Sequence, residues 1–145
     1  MIQHAVTLSI ARPVPEVFAF LADVARTPSW LSRCVSLTRK RSGPLTMGEP
    51  LEYTYREGSR TGVMAGTVAV LEPDRKLEFH YLDRMLQVQV GFECSAEGSG
   101  TALRHHIQIV PLTLLMKLLQ PVIRMATVKQ TAKDMATLKS LLERK

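Results

Sequence analysis

The sequence predicts an α+β protein in which an antiparallel sheet uses most of the chain and one long helix ends it. Three observations lead there. Apolar and polar residues alternate over residues 3–10 and again, between turn-forming clusters, from about residue 51 to residue 109, the period of a sheet with one buried face. Between those regions, residues 11–31 (ARPVPEVFAFLADVARTPSWL) hold three prolines around short apolar repeats of helical spacing. From Leu112 onward the apolar period is helical.

The first strand is QHAVTLSI, with Val6, Leu8 and Ile10 on one face and Ala5, Thr7 and Ser9 on the other. Val14, Val17, Phe18 and Leu21 then fall at i, i+3, i+4 and i+7, with Pro15 in a first turn where its missing N–H costs nothing. Thr27 and Pro28 read as the N-cap and first position of a second, shorter helix carrying Trp30 and Leu31. The stretch is thus a helix pair with a break.

Strands follow. Leu51, Tyr53 and Tyr55 alternate with Glu52, Thr54 and Arg56, and residues 58–62 make a turn. Residues 63–71 form a longer strand that ends at Pro73, expected at i+1 of a type I turn. Leu77, Phe79 and Tyr81 mark the next strand, and Leu86, Val88, Val90, Phe92 and Cys94 the one after. Residues 97–100 (EGSG) turn the chain into a last strand with Leu103, His105, Ile107 and Ile109 on one face. In the terminal helix, positions 114, 118, 122, 125, 128, 132 and 135 form an apolar stripe expected to lie on the sheet. Continuous to Leu142, that helix would be about 45 Å long, with Pro121 as its kink or its true start.

Composition narrows the classes. A chain of 145 residues, 46% of them hydrophobic, fits one domain over residues 1–145 that buries a core without disulfides or metals. Cys34 and Cys94 match no ligand or redox spacing and read as buried thiols. The N-terminus lacks the basic and apolar blocks of a signal peptide, so a cytoplasmic location is expected. The run 112–126 is interrupted by Lys117, Gln120, Pro121 and Arg124, short of a membrane span, so no stable membrane insertion is expected. The net charge of +6 gathers partly at Arg39, Lys40 and Arg41. With no aromatics interleaved, that cluster reads as a solvated loop, and no nucleic-acid partner is expected.

Strand parity gives the inward set: Tyr53, Tyr55, Phe79, Tyr81, Val88, Val90, Phe92, Leu103, His105, Ile107 and Ile109. Such a lining suits a small-molecule pocket, and it equally suits a filled core. His105 stands out because an inward imidazole needs a partner. A bond to a tyrosine would make it structural. The other reading makes it a group that holds a ligand or moves a proton, and so the candidate catalytic residue. Glu52, Glu78 and Glu93 take outward parity, while Glu72, Asp74, Asp83 and Glu97 sit in turns. No inward Asp or Glu is assigned, so neither paired-carboxylate catalysis nor a metal site is expected. No cofactor is expected either.

Taken in order, Ile10 with RPVPEVFAFLAD (12–23), PSW (28–30), Gly48 ahead of a strand, TVAVLEPDRKLEF (67–79), EGSGTAL (97–103) and TLKSLLE (137–143) resemble the START-like, or SRPBCC, superfamily, in particular its polyketide cyclase/dehydrase and lipid-transport branch. The resemblance covers essentially the whole chain. It implies a helix-grip fold: a seven-stranded antiparallel sheet curled around the C-terminal helix, with the two short helices plugging one end and a cavity between sheet and helix. Met125 of the helix would join the inward strand residues in lining that cavity. The implied function is binding of a small hydrophobic molecule such as a lipid, quinone or polyketide-like aromatic. A cyclase or dehydratase using the same cavity, and a chaperone-ATPase activator working through the long helix, remain open beside it.

Overall fold

The computed structural model describes residues 1–144. The elements are β1 (Ile2–Ile10), α1 (Val14–Ala22), a 3-10 turn (Val24–Arg26), α2 (Thr27–Trp30), β2 (Cys34–Arg39), β3 (Pro50–Glu57), β4 (Arg60–Glu72), β5 (Lys76–Leu82), β6 (Leu86–Glu97), β7 (Gly100–Pro111), α3 (Leu114–Leu118) and α4 (Gln120–Glu143). All seven strands pair antiparallel in the order β1-β7-β6-β5-β4-β3-β2. This is the helix-grip arrangement of START-like proteins.

That strand order explains the proline-broken start. β1 and β2 follow each other in the chain yet form the two opposite edges. The chain between them must cross seven strands, about 29 Å at the usual interstrand spacing. One nine-residue helix spans only about 14 Å. The chain therefore uses α1, a 3-10 turn and α2 in succession, and Pro15 and Pro28 each stand in a first helical turn. Thr27 does not cap α2, because it lies inside the helix and makes no cap hydrogen bond.

The turn expected over residues 58–62 is tighter than the sequence implied, and the one at 97–100 falls where it was expected. Glu57 pairs with Arg60 and Glu97 with Gly100, leaving Gly58-Ser59 and Gly98-Ser99 as two-residue loops. Gly58 and Gly98 have φ of +64° and +62°, the first-position glycine of type II′ turns, whose twist matches the strands they join. At residues 72–75 the expected type I turn is absent. Asp74 takes φ +60° at the third position, as a type II turn requires.

The core lies between the sheet's inward face and the helices. α1 contributes Val17, Phe18 and Leu21, α2 contributes Trp30, and α4 contributes Met135, Leu138 and Leu142. Pro121 marks the true start of α4, in its first turn. Thr113 caps α3 by accepting from the Met116 N–H at 3.2 Å. Both cysteines are free and buried.

The terminal helix supplies the main correction. Of the apolar stripe expected on the sheet, Leu114, Leu118, Val122, Met125, Val128 and Ala132 are exposed, and only Met135 at its C-terminal end is buried. The inward side of α4 is Thr127, Thr131, Asp134, Met135, Leu138 and Leu142. These faces are about a third of a turn apart on a helix. The C-terminal half sets the rotation, because Leu138 and Leu142 are almost wholly buried. In one rigid helix, whatever shares their side goes in with them, threonines included.

Candidate functional site

The inward parity of the strands places the expected residues on one concave face, and depth divides them. Phe79, Tyr81, Phe92, Leu103, His105 and Ile109 are buried. Tyr53, Tyr55, Val88, Val90 and Ile107 are only partly covered. These half-covered positions gather at one end of the sheet, where β3 ends and β6 begins; Tyr81 pairs with Val88 there, and Val88 with Ile109. α1 covers the other end by packing on β6 and β7. α4 approaches the rest of the fold chiefly at β1 and α2. Met125 does not belong to this face. It is 73% exposed on the outer side of α4, because the stripe that carries it is turned out.

An aromatic layer lies along this face. Tyr53 lies between Tyr55 and Tyr81, with ring centroids 6.1 and 4.8 Å away, and Tyr81 continues to Phe79 at 6.2 Å. Two glycines of β4 make room for it. Gly62 pairs with Tyr55 and Gly66 with Tyr81, and each tyrosine ring lies where the glycine's side chain would otherwise stand. This is the cross-strand packing of an aromatic over a glycine, which pins the ring flat on the sheet.

His105 finds a backbone partner and no tyrosine. Its Nδ1 lies 3.1 Å from the Gly91 carbonyl oxygen. A carbonyl only accepts, so Nδ1 carries the proton and Nε2 keeps a free lone pair. The ring stacks on Phe92, and Phe92 receives the edge of Trp30 at 5.8 Å and 84°. Burial pushes the His105 pKa down to about 4, against the bond to Gly91, which favours the charged form. The imidazole is therefore neutral at physiological pH. His106 stays on the outer face, its ring across Gly91.

Other groups of the interior are also held neutral. Burial raises the pKa of all three tyrosines. Burial likewise pushes the Cys34 thiol up to about 12 and the Cys94 thiol to about 11. The Trp30 indole N–H is buried without an acceptor.

Sequence reasoning missed Asp134. It is 3% exposed on the inward side of α4, where its Oδ1 accepts from the Ser32 N–H at 3.2 Å and from Gln130 Nε2 at 3.1 Å. Gln130 also donates to the Ser32 hydroxyl, so the three residues tie α4 to the segment between α2 and β2. Burial raises the Asp134 pKa, opposed by the bonds from Ser32. The available signal was Thr127, Thr131 and Asp134 at i, i+4 and i+7, a polar helix face that a search for apolar stripes passes over. Glu49, also unremarked in the sequence, is fully buried in a fork with Arg39, at 2.6 and 3.0 Å. It is a loop clasp. Among the described residues no group of three or more His, Cys, Asp or Glu side chains could hold a metal.

Two surface depressions, of about 440 and 360 Å³, lie elsewhere. One is on the outer side of α4 around Lys133, Thr137 and Leu141, the other beside α1 around Ala22, Arg39 and Leu45. Neither touches the aromatic layer, and both are open to solvent, so neither has the enclosed, apolar form of a small-molecule site.

A seven-stranded antiparallel sheet gripping a C-terminal helix defines the START-like fold. A family model described as polyketide cyclase / dehydrase and lipid transport matches residues 1–143, and the chain belongs to that family. Similar solved structures share the fold at low identity. The Zhui aromatase/cyclase from a Streptomyces species superposes with a TM-score of 0.81 at 13% identity, covering 98% of this chain and 93% of that one. A START superfamily protein from Mycobacterium smegmatis gives 0.81 at 11%, covering 98% and 97%. The di-domain aromatase/cyclase StfQ of the steffimycin biosynthetic pathway gives 0.73 at 12%, covering 99% of this chain and 51% of that one. A search of curated proteins found no significant match.

Proposed function

We propose that the chain binds a small hydrophobic molecule, such as a lipid, quinone or polyketide-like aromatic, in the recess between the concave sheet face and α4. One observation carries this reading: Tyr53, Tyr55, Val88, Val90 and Ile107 point inward yet stay partly uncovered. Apolar inward residues in a filled core would be sealed by neighbours, since interiors pack as densely as organic crystals. Here a guest can complete the packing, at about 25 cal/mol per Å² of apolar surface it covers.

The electrostatics favour binding over acid–base catalysis. A catalytic acid or base works best with a pKa near the operating pH. His105 moves away from neutrality, to about 4, and the tyrosines move up. A neutral lining accepts an uncharged guest without desolvating an ion.

Native mass spectrometry of the purified protein, with a panel of fatty acids, quinones and aromatic polyketides, tests this. A saturable adduct that is lost in Val90→Trp, which fills the recess, is expected. No adduct with any member of the panel would remove the reading.

A second reading, a cyclase or dehydratase in the same recess, is favoured by Asp134 alone. Its carboxyl is buried and its pKa is raised toward the working range, and its charge reaches Tyr53. Turnover of a poly-keto thioester that disappears in Asp134→Asn while the fold is retained would establish that reading.

A further inference from the structure

The outward stripe is a surface with a chemistry of its own. Leu114, Leu118, Val122 and Met125 are each more than 60% exposed, and Leu115 and Val128 extend the same side. Scattered exposed leucines need no explanation, but a row along two consecutive helices does. The charge along it has one sign. From Gly98 to Lys133 the chain holds no Asp or Glu, while Lys117, Arg124, Lys129 and Lys133 are all exposed.

Position adds a third observation. α3 follows directly from the end of β7, where the Leu112 N–H donates to the Met85 carbonyl at 2.8 Å. The N-terminal amine reaches Gln120 at 3.5 Å. The stripe therefore begins at the end of the sheet where Val88, Val90 and Ile107 are only partly covered.

We propose that α3 and the first half of α4 dock on an anionic lipid bilayer surface, with the stripe at the acyl boundary and the four bases among the headgroups. An amphipathic segment with an apolar row and only cations beside it is the pattern of an interfacial helix, bound by apolar burial and by attraction to anionic lipid. A second copy of this chain fits less well. A two-fold contact through the stripe would bring the same four cations of both copies together with no acid between them. Docked in this way, the uncovered end of the recess faces the membrane, and a greasy guest passes between bilayer and protein without crossing water. That transfer step rests on the binding function proposed above; the docking does not.

Flotation of the full chain with phosphatidylcholine vesicles, with and without phosphatidylglycerol, tests the docking. Binding to the anionic vesicles at low salt is expected, weakened severalfold in high salt as screening shortens the reach of the charges. Leu118→Glu with Met125→Glu should lower it at least about tenfold, and Lys117→Gln with Arg124→Gln should remove most of its dependence on phosphatidylglycerol. These side chains are exposed, so circular dichroism should be unchanged. Absence of binding to anionic vesicles, or binding that neither pair of variants alters, overturns the proposal. So does a dimer in sedimentation that Leu118→Glu dissociates without any vesicle binding, which would assign the stripe to a second copy. Guest binding in solution is read separately with Val90→Trp, so loss of one function leaves the other measurable.

Discussion

His105 stacks on Phe92, its cross-strand neighbour, with ring centroids 4.6 Å apart and 22° between the planes. The imidazole is thereby a flat, neutral member of the aromatic core, held by a backbone carbonyl. Its protonation in the fold is displaced from 6.5 to about 4 by burial. In the unfolded chain it takes a proton near 6.5, so between these values the unfolded state holds more protons. Stability is fully present above pH 6.5 and falls as the pH drops from 6.5 to about 4. Urea titrations across that range should show the loss, and His105→Phe, which keeps the stack, should flatten it. A His105 midpoint near 6.5 by NMR would contradict the burial argument.

Glu49 gives the acid limb below that range. Arg39, then the Thr46 bonds, hold its pKa down at about 2 against burial, compared with 4.5 for a free carboxyl. A lowered carboxylate pKa stabilises above the unfolded value and is lost as pH falls through the folded one. The contribution should therefore drain between pH 4.5 and 2, and Glu49→Gln should remove that slope. Arg39→Lys should weaken the clasp at neutral pH, because lysine cannot supply the two-pronged donor.

The glycines under the tyrosines differ in what they protect. At Gly66 an added methyl would meet the Tyr81 ring at 2.9 Å and Leu51 Cβ at 3.2 Å, and both residues are buried. Gly66→Ala should cost about 1–3 kcal/mol, the usual range for overpacking. At Gly62 the obstacle is the half-covered Tyr55 ring, whose far end can swing away. Gly62→Ala should cost less in stability and show itself in guest affinity. Thermal unfolding with binding titrations separates the two.

The rotation of α4 is checked by a contrast. Leu138 is fully buried, so Leu138→Ala should destabilise by about 2–5 kcal/mol. Val122 is 63% exposed, and Val122→Ser should stay within about 0.5 kcal/mol. Equal costs at the two sites would mean that the stripe is packed after all.

Period-two alternation by itself settled which strand residues share a face, since a pleated strand sends alternate side chains to opposite sides whatever surrounds it. Phe79, Tyr81, Phe92, Leu103 and His105 were legible as inward for that reason, and so was the change to a helix after Leu112. Parity carries no information about depth, so the division between sealed Phe92 and half-covered Val90 came only from how far the helices reach over the sheet. A helix has no such two-sided rule. Its apolar stripe predicts a buried face only if nothing else fixes the rotation, and Leu118 and Met125 stand exposed. Leu138 and Leu142 decided the rotation from the far end of the same rod, carrying Asp134 inward and Met125 outward.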